Sequence, residues 1–222
     1  LVTDILPLGY KNHSVAGNEH DVSDRDGAIA IKNWPVFGIY SPDAIATYQY
    51  RGKTYFLTAN EGDTREYDTF GEEVRVSSND VKLDATAFPN ATALKANAAL
   101  GRLTITNTLG DIDGDGDYDK LFVPGARSFS IWRTDGTQVF DSGSDFESIT
   151  ANLFPAQFNS NHEEQPSFDT RSDNKGPEPE GLTLGEIMGR TYAFVGLERQ
   201  SGIMVYDITD PKGYEPYVPA VI

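Results

Sequence analysis

The chain has 222 residues, which is enough for one sizeable domain or two small ones. Its formal net charge is −16, from 34 acidic and 18 basic residues, which opposes binding to a nucleic-acid backbone and suits a protein that binds divalent cations. It contains no cysteine, which excludes disulfides, thiolate metal sites and thiol nucleophiles, and it has no apolar run long enough to cross a membrane.

The two ends of the chain predict a segment of a longer, exported protein. The chain begins at Leu1 rather than Met, carries no signal peptide, and closes with residues 211–217, which have the composition of a link to further structure. We expect an extracellular or cell-surface location, because weak calcium modules work at the calcium concentrations found there, and a bacterial source.

The first 40 residues predict mostly irregular structure, with a long polar loop over residues 10–30. Two of the three histidines, His13 and His20, lie in this loop, and His162 lies in a second polar loop over residues 155–178. A histidine can act as a catalytic base. In these polar surroundings we expect exposed or loop-fixing roles instead, and the chain has neither a G-x-S-x-G elbow nor an H-E-x-x-H motif.

Residues 42–62 predict a β-hairpin. Two runs rich in β-branched and aromatic residues flank a short glycine-containing turn at residues 51–53. The same pattern recurs without a gap at residues 179–198, with its turn at 188–190. Internal repetition of strand–turn–strand units is typical of β-propellers and related arrays.

Two short helices are predicted between the strands. Asn90 can cap a helix over residues 91–100, with Gly101 at its end. Ser144 can cap a second helix over residues 145–153, which Pro155 would stop.

Residues 111–119 predict a calcium loop. Five aspartates alternate with other residues, and Ca²⁺ takes about six to eight oxygen ligands from loops of the form D-x-D-x-D-G. The sequence lacks the bidentate glutamate of an EF-hand, and its flanks have strand composition, so we expect a calcium loop between strands; the alternative is a solvated acidic turn. The ligands expected from this spacing are Asp111, Asp113, Asp115, the carbonyl of Asp117, and Asp119.

A third strand–turn–strand unit is predicted over residues 120–140, and a further strand over residues 202–208. The predicted fold is therefore mainly β. It is a partial β-propeller of roughly three blades, with two short helical insertions, in a single domain segment over residues 1–222.

Alignment of the two hairpin units matches Asp43 with Glu180 and Glu61 with Glu198. The first and last residues of a hairpin lie at the same end, so these carboxylates should lie along equivalent sheet edges, with Glu178 close by. Carboxylates at one edge can bind calcium, and all five are candidate metal ligands.

Arginines near these edges add a second possibility, a site for phosphate or another polyanion. Metal and guanidinium both attract anionic oxygens, which makes Glu61, Glu180, Arg127 and Arg199 candidate catalytic residues. The alternative is that the carboxylates form hydrogen bonds and ion pairs that close the blades, and that Arg127 is a paired structural arginine.

Eight segments together resemble the choice-of-anchor I domain family over nearly the whole chain. These segments are Leu6-Pro7-Leu8-Gly9-Tyr10-Lys11-Asn12-His13-Ser14, Ser23-Asp24-Arg25-Asp26-Gly27, Asn33-Trp34-Pro35-Val36-Phe37-Gly38, Pro42-Asp43-Ala44-Ile45-Ala46, Ala59-Asn60-Glu61-Gly62-Asp63, Glu72-Glu73-Val74-Arg75-Val76, Gly125-Ala126-Arg127-Ser128-Phe129-Ser130-Ile131-Trp132 and Lys175-Gly176-Pro177-Glu178-Pro179-Glu180-Gly181. The departures are minor: Tyr10 and Asn12 stand where the family pattern leads us to expect Phe and Asp.

The resemblance implies an exported, often surface-anchored, β-propeller-like domain that is considerably longer than this chain. The family includes relatives of a mesenchyme-specific cell-surface glycoprotein and secreted proteins labelled alkaline phosphatase, so the resemblance fixes no catalytic mechanism.

Three functions are therefore expected from the sequence. The first is a calcium-binding segment of a secreted or surface-anchored matrix or adhesion protein, with other segments of the same longer protein among its partners. The second is a calcium-dependent phosphoesterase that acts on phosphate esters at the hairpin edges. The third is binding of carbohydrate, such as an anionic polysaccharide, in an extracellular matrix.

Overall fold

The structure is a computed structural model that describes residue 2 and residues 4–164 and 166–212. Residues 213–217, which the sequence predicts to be part of a link to further structure, lie outside the described residues. Within the described ranges, no helix has the length and apolar character needed to cross a membrane.

Fourteen strands and two α-helices make up the regular structure of the described residues. The strands are β1 Tyr10–Asn12, β2 Val36–Ile39, β3 Ala44–Tyr50, β4 Lys53–Ala59, β5 Glu66–Tyr67, β6 Phe70–Gly71, β7 Glu73–Arg75, β8 Thr104–Thr106, β9 Leu121–Pro124, β10 Phe129–Arg133, β11 Gln138–Asp141, β12 Pro179–Ile187, β13 Arg190–Leu197 and β14 Gly202–Asp207. The helices are α1 Ala91–Leu94 and α2 Asp145–Leu153, and there are 3₁₀ turns at Leu100–Arg102 and Pro155–Gln157.

The strands form several sheets, none of which closes on itself in the described residues. The largest has the order β11-β10-β4-β3 and is antiparallel throughout; a second has the order β12-β13-β14; a third has the order β1-β2-β9, with β2 and β9 parallel. Two further sheets pair β5 with β6 and β7 with β8. A mainly β fold with two helices is thus confirmed, and a propeller stays a prediction.

The repeat read in the sequence is also a repeat in structure. Hairpins β3-β4 and β12-β13 have equivalent registers: Tyr48 pairs with Tyr55 in the first, and Gly185 pairs with Tyr192 in the second. Each turn contains two consecutive residues with positive φ, the conformation of a type I′ turn, which matches the twist of the flanking strands.

The predicted third unit is confirmed in its hairpin, which β10 and β11 form, and wrong in its first strand. β9 pairs with β2, in a different sheet, whereas β10 and β11 complete the four-stranded sheet beside β4. The chain changes sheet between β9 and β10, where Gly125 and Arg127 both have positive φ and break the extended conformation.

The first predicted helix is too long. Helix α1 ends at Leu94, because the chain turns back so that Leu94 and Leu100 are both buried in one apolar cluster. Asn90 precedes the helix but its side chain makes no capping hydrogen bond. The second helix has the predicted bounds, again without a side-chain cap from Ser144.

The four-stranded sheet and the β12-β13-β14 sheet pack face to face around an apolar cluster. β4 contributes Leu57, β10 contributes Phe129, and β13 contributes Val195, and all three are fully buried. This packing brings the end of β4 close to the start of β12 and the end of β13, and so positions the acidic residues next to these three strand ends.

Two glycines allow the backbone crossing beside Glu61. A Cβ atom added at Gly62 would lie 1.8 Å from the nitrogen of Gly125, and one added at Gly125 would lie 1.9 Å from the carbonyl oxygen of Glu61. Only glycine fits at either position, so the segment between β9 and β10 fixes where Glu61 stands.

Candidate functional site

Two groups of carboxylates are brought together among the described residues. The first lies in the loop between β8 and β9, where Asp111, Asp113 and Asp115 each place one oxygen within 4.8 Å of the other two. All three side chains are exposed. The spacing in sequence is thus converted into a cluster of oxygen atoms in space.

Hydrogen bonds within the loop divide its aspartates by role. Asp111 accepts hydrogen bonds from the backbone nitrogens of Gly114 (2.7 Å) and Gly116 (3.1 Å), and Asp119 accepts one from Ile112 (2.7 Å). These bonds curl the loop. Asp113 accepts no hydrogen bond from the described part of the chain, so its carboxylate is held only by the loop backbone.

Asp117 lies outside this cluster of three. Partial burial and the neighbouring charge of Asp115 raise the pKa of its carboxyl group above the usual value. Within the described ranges, no lysine or arginine forms a salt bridge with any aspartate of residues 111–119, so their mutual repulsion is not relieved by the protein.

The second group is formed by Glu61, Glu178 and Glu198. Glu61 follows β4, Glu178 precedes β12 and Glu198 follows β13, and each offers one oxygen within 4.8 Å of the others. Glu61 and Glu178 are buried, and Glu198 is half-buried. The ends of the two repeated hairpins therefore bring together Glu61, Glu178 and Glu198, which are three of the five carboxylates that the sequence suggests as metal ligands.

Unlike the aspartate loop, this group is already neutralised by basic side chains. The Lys175 ammonium forms salt bridges with Glu61, with Asp63 (2.8 Å) and with Glu178 (3.5 Å). Glu178 is also paired with Arg171 and Arg199, the latter at 2.9 Å. We refer to Glu61, Glu178, Glu198, Lys175, Arg171 and Arg199 as the glutamate–lysine network.

Pairing lowers the pKa of Glu178 but not the pKa values of Glu61 and Glu198, which burial raises. Burial alone would raise the pKa of Glu178, but the charges of Arg171 and Lys175 hold it below its usual value. Burial works against the ammonium of Lys175, yet hydrogen bonds to Asp63 and Glu61 raise its pKa. Lys175 therefore stays charged at neutral pH and pairs with two of the three glutamates, Glu61 and Glu178.

Asp43 and Glu180 do not join the glutamate–lysine network. Both are exposed, and within the described ranges neither forms a salt bridge. The backbone nitrogen of Asp43 donates to the carbonyl of Ala59 (3.0 Å), which places the residue beside the start of β3. The two matched positions are equivalent, but the side chains lie outside the carboxylate cluster.

Arg127 is buried, and among the described residues its ion pair is with Glu147 rather than with a glutamate of the network. Its guanidinium donates to the carbonyl of Asp21 (2.6 Å), to the Glu147 carboxylate (2.5 Å), and to the carbonyls of Ser172 and Asn174. This is the geometry of a paired structural arginine, the alternative considered above, because its donors on Nη1 and Nη2 are already engaged.

Two of the histidines are not exposed, which corrects that part of the expectation. His13 and His20 are buried and stacked, with ring centroids 3.9 Å apart, and burial lowers both pKa values well below the usual range. His13 fixes its loop through a 2.8 Å contact between Nδ1 and the carbonyl of Asn18. His162 instead contacts Arg199 (3.0 Å), at the margin of the glutamate–lysine network.

The residue that sequence reasoning missed is Lys175. Its partner Glu61 lies 114 positions away in the chain. The sequence signal for Lys175 is its place in the segment Lys175-Gly176-Pro177-Glu178, directly before the second hairpin. This segment is part of a family motif, but only its glutamates are predicted to be site residues.

Comparison with known proteins places the chain in a family. The model of the choice-of-anchor I domain matches residues 1–211, and the chain belongs to this family. It is 28% identical over 237 aligned residues to a mesenchyme-specific cell surface glycoprotein of Strongylocentrotus purpuratus, covering 92% of this chain and 30% of that protein. It is 37% identical over 119 residues to gigasin-3a of Magallana gigas, covering 51% of this chain and 42% of that protein.

The chain thus spans less than half the length of either relative. No solved structure gives a significant match. The family and the surface glycoprotein relative support an extracellular or cell-surface location. A bacterial source stays a prediction.

Replacement of Glu178 by glutamine should strongly destabilise the fold, because it leaves buried basic groups without their counter-charge. We expect Glu178→Gln to lower the free energy of unfolding by about 3–5 kcal/mol. The charge-matched control Glu180→Gln, at an exposed and unpaired position, should change it by less than about 0.5 kcal/mol. Urea unfolding at pH 7 measures both.

The loss of unfolding free energy caused by Glu178→Gln should also depend on pH. The pKa of Glu178 is lower in the folded state than its unfolded value of 4.5. The contribution of the Glu178 carboxylate to the free energy of unfolding is therefore fully present above pH 4.5. It is lost as the pH falls through the folded-state pKa. Equal stabilities of the two variants at pH 7 would contradict a structural role for the network.

Proposed function

We propose that this chain is a calcium-binding domain of an extracellular or cell-surface protein, with the ion held by residues 111–119. The observation that carries the proposal is the cluster of Asp111, Asp113 and Asp115 oxygens, which receives no counter-charge from the described residues. Ca²⁺ takes oxygen ligands at about 2.3–2.6 Å in flexible loops of this kind.

The placement of the loop favours a structural role for the ion. The loop joins β8, which pairs with β7, to β9, which pairs with β2. A cation there would hold the connection between two different sheets. A matrix or adhesion role fits this reading, and the surface glycoprotein relative supports it.

Calcium should stabilise the chain, because a ligand that binds only the native state raises the free energy of unfolding. For a dissociation constant of about 0.1–1 mM, typical of extracellular modules, 5 mM Ca²⁺ should add about 1–2 kcal/mol. That corresponds to an increase in Tm of roughly 2–8 °C for a domain of this size. Thermal unfolding in calcium and in chelator measures the shift.

Asp113→Ala is the variant that tests the ligand most cleanly. It removes a carboxylate without removing a hydrogen bond that frames the loop, so Tm in chelator should stay the same or rise slightly while the calcium shift is lost. Asp68→Ala, in the exposed turn between β5 and β6, is the matched control and should keep the full shift. A calcium shift that Asp113→Ala retains in full, or no shift in the unmodified protein, would overturn the proposal.

The second candidate is a calcium-dependent phosphoesterase at the glutamate–lysine network. What favours it is the convergence of Glu61, Glu178 and Glu198 from two hairpins, beside three basic side chains that suit a phosphate. It ranks second because Lys175 and Arg199 already neutralise these carboxylates. A metal could enter only if Lys175 left.

A phosphatase assay with and without Ca²⁺, on the natural polypeptide that carries these residues, separates the two candidates. Since Lys175 already neutralises Glu61 and Glu178, we expect no calcium-dependent turnover of a phosphomonoester or a phosphodiester. Calcium-dependent turnover that Glu61→Gln abolishes, in a variant whose thermal unfolding shows that it is folded, would establish the phosphoesterase instead.

A further inference from the structure

The matched sheet faces of the two hairpin repeats differ in how far they are buried. In the first repeat, the face that includes Tyr55, Leu57 and Ala59 packs on the second repeat, and all three side chains are buried. The matched residues of the second repeat are Tyr192, Phe194 and Gly196, and these are only half-buried.

The third strand of each sheet shows the same contrast. β10 pairs with β4 as β14 pairs with β13, so Phe129 corresponds to Ile203 and Ile131 corresponds to Val205. Phe129 is 0% exposed, whereas Ile203 is 49% exposed. An isoleucine on an open sheet face adds to a patch that already contains two aromatic rings.

The opposite face of the second repeat is the partner of the matched face of the first repeat, and so shows what kind of surface packs there. Ala193, Val195 and Leu197 of β13 face the first repeat and fill the cluster between the two sheets, together with Met204 of β14. The first interface therefore joins an aromatic and aliphatic face to a face of small and medium aliphatic side chains. If the arrangement is repeated, the open face of the second repeat requires a third sheet of the same kind.

We infer that the face formed by Thr183, Tyr192, Phe194, Ile203 and Val205 is an interface for a further strand repeat of the same, longer polypeptide. Its occupant would present alternating aliphatic residues, as β13 does toward the first repeat. The relatives supply room for such a repeat, because this chain covers only 30% and 42% of their lengths. The inference does not depend on calcium binding.

Single cysteines can test this interface, because the chain has no cysteine of its own. Thr183→Cys and Ile203→Cys lie on the proposed interface, and Thr134→Cys, in the exposed turn between β10 and β11, is the reference. In the natural polypeptide that carries this chain, we expect a thiol reagent to label the first two at least about tenfold more slowly than the reference. Labelling at the same rate would overturn the inference.

A second measurement needs no substitution and separates the occupants. Hydroxyl-radical footprinting of the unmodified polypeptide should leave Tyr192 and Phe194 protected at every protein concentration. Protection that disappears on dilution would instead identify a second copy of the chain as the occupant and would contradict the inference. Strong oxidation of both rings at all concentrations would contradict it too.

Discussion

Carboxylates that lie a few ångströms apart repel each other unless a cation neutralises them. The chain, with a net charge of −16, meets this constraint in two different ways. In the glutamate–lysine network the protein supplies the cations, chiefly Lys175 between Glu61 and Glu178. In the aspartate loop the described residues supply none. This difference decides which of the two groups is the better candidate for calcium.

The network also joins the two repeats. Glu61 ends the first hairpin and Glu178 precedes the second, so the Lys175 ammonium connects the sheets at one edge of their shared core. Buried ion pairs add little net stability compared with apolar contacts, but loss of one partner is costly. The network therefore fixes the relative position of the repeats, and the apolar cluster around Leu57 and Val195 supplies most of the attraction.

Local sequence patterns were enough to predict several elements of the fold. The hairpins could be read from turn glycines and alternating side chains, and the aspartate loop from a ligand spacing that lies within nine residues. The long-range features could not. Lys175 meets Glu61 across 114 positions, Arg127 reaches acceptors from three segments, and α1 is cut short because Leu94 and Leu100 are both buried in one core. Sequence patterns report local preferences, whereas these outcomes depend on which segments the tertiary packing brings together.

The most direct test of this account is an anomalous-scattering map from crystals of the protein grown with calcium. The account predicts a calcium peak within about 2.3–2.6 Å of carboxylate oxygens of Asp111, Asp113 and Asp115. It also predicts that Lys175 stays between Glu61 and Glu178, with no peak there. A peak among the three glutamates with Lys175 displaced, and none in the aspartate loop, would contradict it.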